Sequence, residues 1–112
     1  MLNSRQKGAA GERELARKLR EYGYACRRGQ QYSGLSGDAD VIGLPNIHIE
    51  CKRKEKLNLY DALDQSKNDA KEGLIPVVMW RKNDCRWVVT LDLDDFMEIY
   101  KEYEAGIPKT NI

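Results

Sequence analysis

The sequence has no apolar run approaching the roughly 18 residues that a membrane-spanning helix needs, which excludes a helical membrane span. Its opening, Met1-Leu2-Asn3-Ser4-Arg5, leads into charge and glycine without an apolar stretch, so the expectation is no secretory signal and a cytoplasmic location. Cysteine is scarce and odd in number: Cys26, Cys51 and Cys85, with no C-x-x-C pair. That argues against a zinc site and a disulfide framework and predicts reduced, half-buried thiols. One histidine, His48, leaves no second imidazole from which to build a histidine-based site. Nine glycines and three prolines rule out collagen-like and linker compositions.

What is present fits one domain. A chain of 112 residues buries about two-thirds of its unfolded surface, enough for a modest core. The net charge is only +1, but its distribution is uneven. Residues 1–31 carry eight Lys/Arg against three Glu, and residues 92–104 carry six acids against Lys101. A basic first third beside an acidic tail permits a polyanion-binding face that the overall sum hides; ordinary solvated helix faces are the plainer alternative.

The elements read as α-β-β-β-α-β-β-α. Residues 4–22 form a predicted helix with Leu15, Ala16, Leu19 and Tyr22 on one side, closed by Gly23. A short strand follows over 24–28, then a turn-rich loop over 29–37. Strands over 40–44 and 47–52 are joined at Pro45-Asn46, a hairpin signal. A second helix spans 59–72 and ends at Gly73. The apolar run 75–81 is a central strand, and 86–91 is another after the turn at Asn83-Asp84. The last helix, 94–103, sets Phe96, Ile99, Tyr100 and Tyr103 on one side, and the tail from 106 is loose. The expected fold is α/β: one domain with a central mixed sheet flanked by helices, the helix between Lys52 and Ile75 crossing over between parallel strands.

Three places carry chemistry. Alternation along 47–52 sends Ile47, Ile49 and Cys51 toward a core and His48, Glu50 and Lys52 the other way. Glu50 and Lys52 are therefore neighbours on one strand face. Taken alone they read first as a solvent-facing edge with an ion pair worth under about 1 kcal/mol. Asp38 and Asp40 stand at the mouth of a strand expected to pair with the Glu50 strand. They serve either as a polar turn or as carboxylates delivered beside Glu50, where a hard divalent cation would relieve their repulsion. Glu12 falls about 60° from Leu15, in the middle of the apolar stripe, with Gly8 nearby. A charge there is costly to bury unless it is paired or bound to a cation. Arg13 and Glu14 lie off the stripe. His48 is expected to be structural or a peripheral contact.

The ordered set resembles the PD-(D/E)xK nuclease superfamily, and within it the archaeal-type Holliday-junction resolvases and small phage and bacterial relatives. The likeness runs from residue 8 to about 82. Its parts are Gly8 to Glu12 with Arg13-Glu14-Leu15, Tyr22-Gly23-Tyr24 with Arg27-Arg28, Asp40-Val41-Ile42, Ile49-Glu50-Cys51-Lys52, Gln65, and Gly73 to Val78. Ala39 stands where the PD motif has proline, and such resolvases are usually clearly basic. The resemblance implies a restriction-endonuclease-like fold and a metal-dependent DNA endonuclease, most readily a junction resolvase. A small nicking or restriction-like nuclease, or a non-catalytic DNA-binding module, are the alternatives. It implies that Asp40 and Glu50 hold Mg²⁺, with Mn²⁺ able to substitute, helped by the backbone carbonyl of Cys51 and by Glu12 directly or through water. It assigns Lys52 to the attacking water and the developing charge, and Gln65 to orienting water or phosphate. Arg5, Lys7, Arg27, Arg28, Tyr32 and Ser33 would contact DNA. No nucleotide cofactor is implied. Two matched incisions call for a homodimer, for which Met79, Trp80, Trp87, Phe96, Ile99, Tyr100 and Tyr103 are interface material.

Overall fold

Alanine, leucine, arginine and glutamate, all strong helix formers, dominate the first element. The structure, a computed structural model, describes residues 4–29 and 39–108, with side chains from Lys7 onward. Helix α1 spans Ser4–Arg20, with Arg17, Lys18 and Arg20 in its last turn, where cations complement the helix dipole. It stops two residues short of the expected end, because Glu21–Gly23 form a turn that Gly23 closes at φ +94°. Strands β1 (Arg27–Arg28) and β2 (Val41–Ile42) are shorter than the apolar pattern predicts, and β3 (Ile47–Arg53) is one residue longer. Helix α2 (Leu59–Asp69) is capped by the Asn58 side chain, which accepts a hydrogen bond from the Asp61 amide at 3.1 Å. It ends at Asp69 rather than at Gly73, because Ala70 turns extended while its amide still reaches the Ser66 carbonyl. Strands β4 (Ile75–Arg81) and β5 (Val88–Thr90) and helix α3 (Leu93–Ala105) complete the chain, so the predicted element order holds.

The five strands lie in the order β1-β2-β3-β4-β5. All neighbours are antiparallel except β3 and β4, which are parallel and joined by α2 as a crossover. The β2–β3 turn uses Asn46 at φ 67°, a conformation that asparagine tolerates well. Helix α1 covers one sheet face, where Leu15, Ala16, Val41, Ile49, Cys51, Val77 and Met79 form the main core. Helix α2 covers the other, where Ala62 and Leu63 pack with Val78.

One expectation is corrected here. The His48–Glu50–Lys52 face is not a solvent-facing edge: β3 is interior, and α2 covers that face. His48 is accordingly only 1% exposed, which removes it as a DNA contact. Helix α3 leaves uncovered the apolar side read from the sequence as interface material. It buries no residue, and Phe96, Ile99, Tyr100 and Tyr103 are all exposed. Of the thiols, Cys26 and Cys51 are buried and Cys85 is exposed. Among the described residues no helix is long and apolar enough to cross a membrane.

Candidate active site

Asp40 immediately precedes β2 and is locked to both neighbouring strands. Its amide donates to the Ile49 carbonyl at 2.9 Å, and its carbonyl accepts from the Gly29 amide at 2.9 Å. Its side chain turns onto β3, where Oδ2 accepts from the Cys51 amide at 2.8 Å. The carboxylate is thus fixed beside the strand that carries Glu50 and Lys52.

Glu50 lies in the middle of β3, in register with Val78 and 5% exposed. Burial, and next the charge of Asp40, push its carboxyl up to about 7; Lys52 pulls it partly back. Lys52 Nζ stands 3.4 Å from Glu50 Oε1 and donates to Gln65 Oε1 at 3.2 Å. Asp40, Glu50, Lys52 and Gln65 are therefore brought together by β2, β3 and α2. Asp69, the last residue of α2, adds negative charge on this side; no sequence motif marked it.

Glu12 is on α1, with its side chain 13% exposed, and its Oε1 accepts from Arg28 Nε at 3.0 Å. Burial raises its carboxyl above the usual range, the Arg28 hydrogen bond opposes this, and the charge of Asp40 adds to the rise. The stripe position of Glu12 is thus satisfied by a cation from β1. Arg28, expected as a DNA contact, is held by this pair, while Arg27 and Lys7 are exposed. The Arg5 side chain, Tyr32, Ser33 and Asp38 lie outside the described residues. Burial pushes the Cys51 thiol well up, so it stays protonated. The same cause lowers the His48 imidazole and keeps it neutral near pH 7, against the charges of Asp69 and Asp40.

Glu14, which the helical pattern left unexplained, braces this region. It pairs with Arg53 at 3.2 Å and with Arg81, the last residues of β3 and β4. Arg53 Nη2 also donates to Asn83 Oδ1 at 3.0 Å. Gly8, placed on the apolar stripe by periodicity, is exposed. It is Gly11 that lies against β3, where an added Cβ would come within 2.5 Å of Arg53 Cβ.

The model of the family described as "Phage putative PDDEXK endonuclease" matches residues 3–112. The chain belongs to this family. The PDDEXK endonuclease fold has a solved counterpart in Hjc of Archaeoglobus fulgidus, a Holliday junction resolvase from an archaeal hyperthermophile. That structure aligns with a TM-score of 0.55 and 24% identity, over 71% of this chain and 72% of the other. At that identity the likeness shows a shared nuclease-type fold. Among curated proteins none matches the sequence.

The carboxylates of Asp40 and Glu50 suit a hard divalent cation. Both offer carboxylate oxygens, the ligand type of Mg²⁺ and Mn²⁺. The raised Glu50 carboxyl marks negative charge crowded into a buried place, which a cation would offset. Among the described residues no three His, Cys, Asp or Glu side chains converge to hold an ion. A two-carboxylate site is nonetheless within the usage of Mg²⁺, which commonly keeps several waters.

Proposed function

We propose that the chain is a divalent-metal-dependent DNA endonuclease, acting on four-way junctions as a resolvase. The observation that carries this reading is Asp40, pinned by the Cys51 amide, beside a buried Glu50 whose Lys52 neighbour also reaches Gln65. Asp40 and Glu50 would hold Mg²⁺ or Mn²⁺, with the Cys51 carbonyl as a further oxygen and Glu12 acting through water. A cation bound there supplies Lewis acidity toward a phosphate oxygen and toward water.

The protein's own groups do the rest. Lys52 brings a positive charge next to Glu50, where it stabilises the charge developing on the phosphoryl oxygens and orients the attacking water. Gln65 holds the Lys52 ammonium by its amide oxygen and so fixes where that charge points. Glu12 draws Arg28 toward Asp40, giving the site a cationic side for the DNA backbone. Lys7 and Arg27 extend the backbone contacts, which carry affinity without reading sequence. Resolution needs two matched cuts, so the active species is a homodimer. The nearly balanced charge, +1, favours a second reading, a nicking or restriction-like nuclease on other DNA.

The test offers purified protein labelled four-way junction, duplex, nicked and single-stranded DNA with Mg²⁺. Paired, symmetric cuts in the junction alone are the expected result. Cutting confined to another substrate moves the assignment to the second reading, and no cleavage with any divalent metal overturns the enzyme.

A further inference from the structure

Helix α3 carries an apolar surface that its own domain does not use. At 100° per residue, Leu93, Phe96, Met97, Tyr100 and Tyr103 share one arc. All are exposed, from 39% at Tyr100 to 72% at Leu93. Phe96, Tyr100 and Tyr103 form a continuous strip, with ring centroids 6.2 and 6.1 Å apart. The groove between this helix and the sheet is lined from the helix side by other residues: Glu98, Ile99, Lys101 and Glu102. The aromatic arc is therefore turned away from the domain. An exposed strip of this kind marks an interaction surface.

A second uncovered apolar place lies on the same chain. Strand β5 is the sheet edge, and Val88 and Val89 on it are exposed. Val89 stands in register with Met79, on the face that α1 covers further in but does not cover here. Around this edge run Arg17, Lys82 and Arg86, none of which makes an ion pair to any described residue. The two places are opposite in charge. Helix α3 carries Asp94, Asp95, Glu98, Glu102 and Glu104 against Lys101; by the β5 edge Glu14 and Glu21 are taken up by Arg53, Arg81 and Lys18, which leaves Asp84 against the three unpaired cations.

The chain's own α3 is held away from its β5 face. It starts three residues after β5 ends, and Asp92 between them is tied to Lys67 of α2 at 2.8 Å. Its groove partners are Pro45, Asn46, Ile47 and Ile75, on the opposite end of the sheet from the β4–β5 turn. We propose that α3 of one copy docks its aromatic arc on the exposed β5 face of a second copy, and that the second copy returns the contact. The acidic flanks of the helix then meet the basic rim of the partner edge. The arrangement is two-fold and closed, each copy giving one helix and receiving one. It also covers an edge strand that would otherwise stay open to unwanted pairing. The inference rests on the homodimer part of the proposed function and names the surface that makes it.

Sedimentation velocity over a range of micromolar concentrations tests it, on wild type and two variants whose folding is checked by circular dichroism. The helix variant is Phe96→Glu with Tyr100→Glu; the strand variant is Val89→Lys. All three positions are exposed, so the fold survives the changes. Wild type is expected at about twice 12.9 kDa. Each variant alone is expected to dimerise at least about tenfold more weakly. An equimolar mixture of the two is expected to recover dimer, because one intact helix–strand contact forms between them. A helix variant that is monomeric beside an undisturbed strand variant would mean that α3 pairs with α3, and overturns the proposal. A dimer that survives both variants overturns this interface while leaving the homodimer standing. A wild-type monomer overturns both, and DNA cleavage by that monomer would leave the nuclease reading intact.

Discussion

At the scale of single residues, the account turns on Glu50. Its folded-state carboxyl sits at about 7, above the ordinary 4.5, so the native protein binds this proton more tightly than the unfolded chain does. The stability linked to it is full below about pH 4.5 and is lost as the pH rises through 7. Glu50→Gln removes the titration. In metal-free buffer with chelator, thermal melts are expected to show the variant more stable than wild type at pH 8, by about 5 °C or more. The difference should close toward pH 5; equal melting temperatures at pH 8 would contradict the burial and crowding described. Lys52 is the second test. Lys52→Ala should keep the fold, since Glu50 takes up a proton when its partner is lost, while turnover falls about 10²-fold or more. A variant cutting DNA within a few-fold of wild type would reduce Lys52 to a structural lysine. Both residues were legible in the sequence, because strand alternation puts i and i+2 on one face. Their burial was not legible, since it depends on β3 being interior and on α2 closing over it.

At the scale of elements, α1 is fitted to β3 through Gly11. Alanine in a helix is ordinarily up to about 1 kcal/mol better than glycine. Here the new methyl would meet Arg53 Cβ at 2.5 Å, an atom close to the backbone that cannot swing aside. The clash outweighs the propensity, so Gly11→Ala is expected to lose about 1–3 kcal/mol in urea unfolding. Gly8→Ala, with nothing within 4 Å, should be neutral or stabilising. Periodicity placed Gly8 on the apolar side and did not single out Gly11, because it registers which side of a helix is apolar and not where a neighbouring strand comes closest. The Glu14–Arg53–Arg81 brace was hidden for a related reason: its members are 39 and 67 positions apart, and only the parallel β3–β4 pairing brings them together. Helix α3 shows the same limit from the other side. Its amphipathic pattern was plain, yet the pattern does not name the surface that covers it. Strands β1, β2 and β5 also came out shorter than their apolar runs, since a ladder ends where its neighbour ends, whatever the side chains prefer.

At the scale of the whole molecule, the sheet holds Asp40, Glu50 and Lys52 on one side of a domain that belongs to a PDDEXK endonuclease family. The basic first third places Lys7, Arg27 and Arg28 on elements that flank this site, while the acidic charge collects on α3. In the proposed reading one chain separates a face for a polyanion from a face for another copy of itself. The central claim is that Asp40 and Glu50 form the metal-dependent cutting site. It is tested most directly by the initial rate of DNA cleavage in Mg²⁺, for wild type, Asp40→Asn and Glu50→Gln, with DNA binding measured in parallel. The account predicts cleavage by wild type that chelator abolishes, and loss of cleavage in both variants with binding largely kept. Wild-type rates from either variant would contradict it.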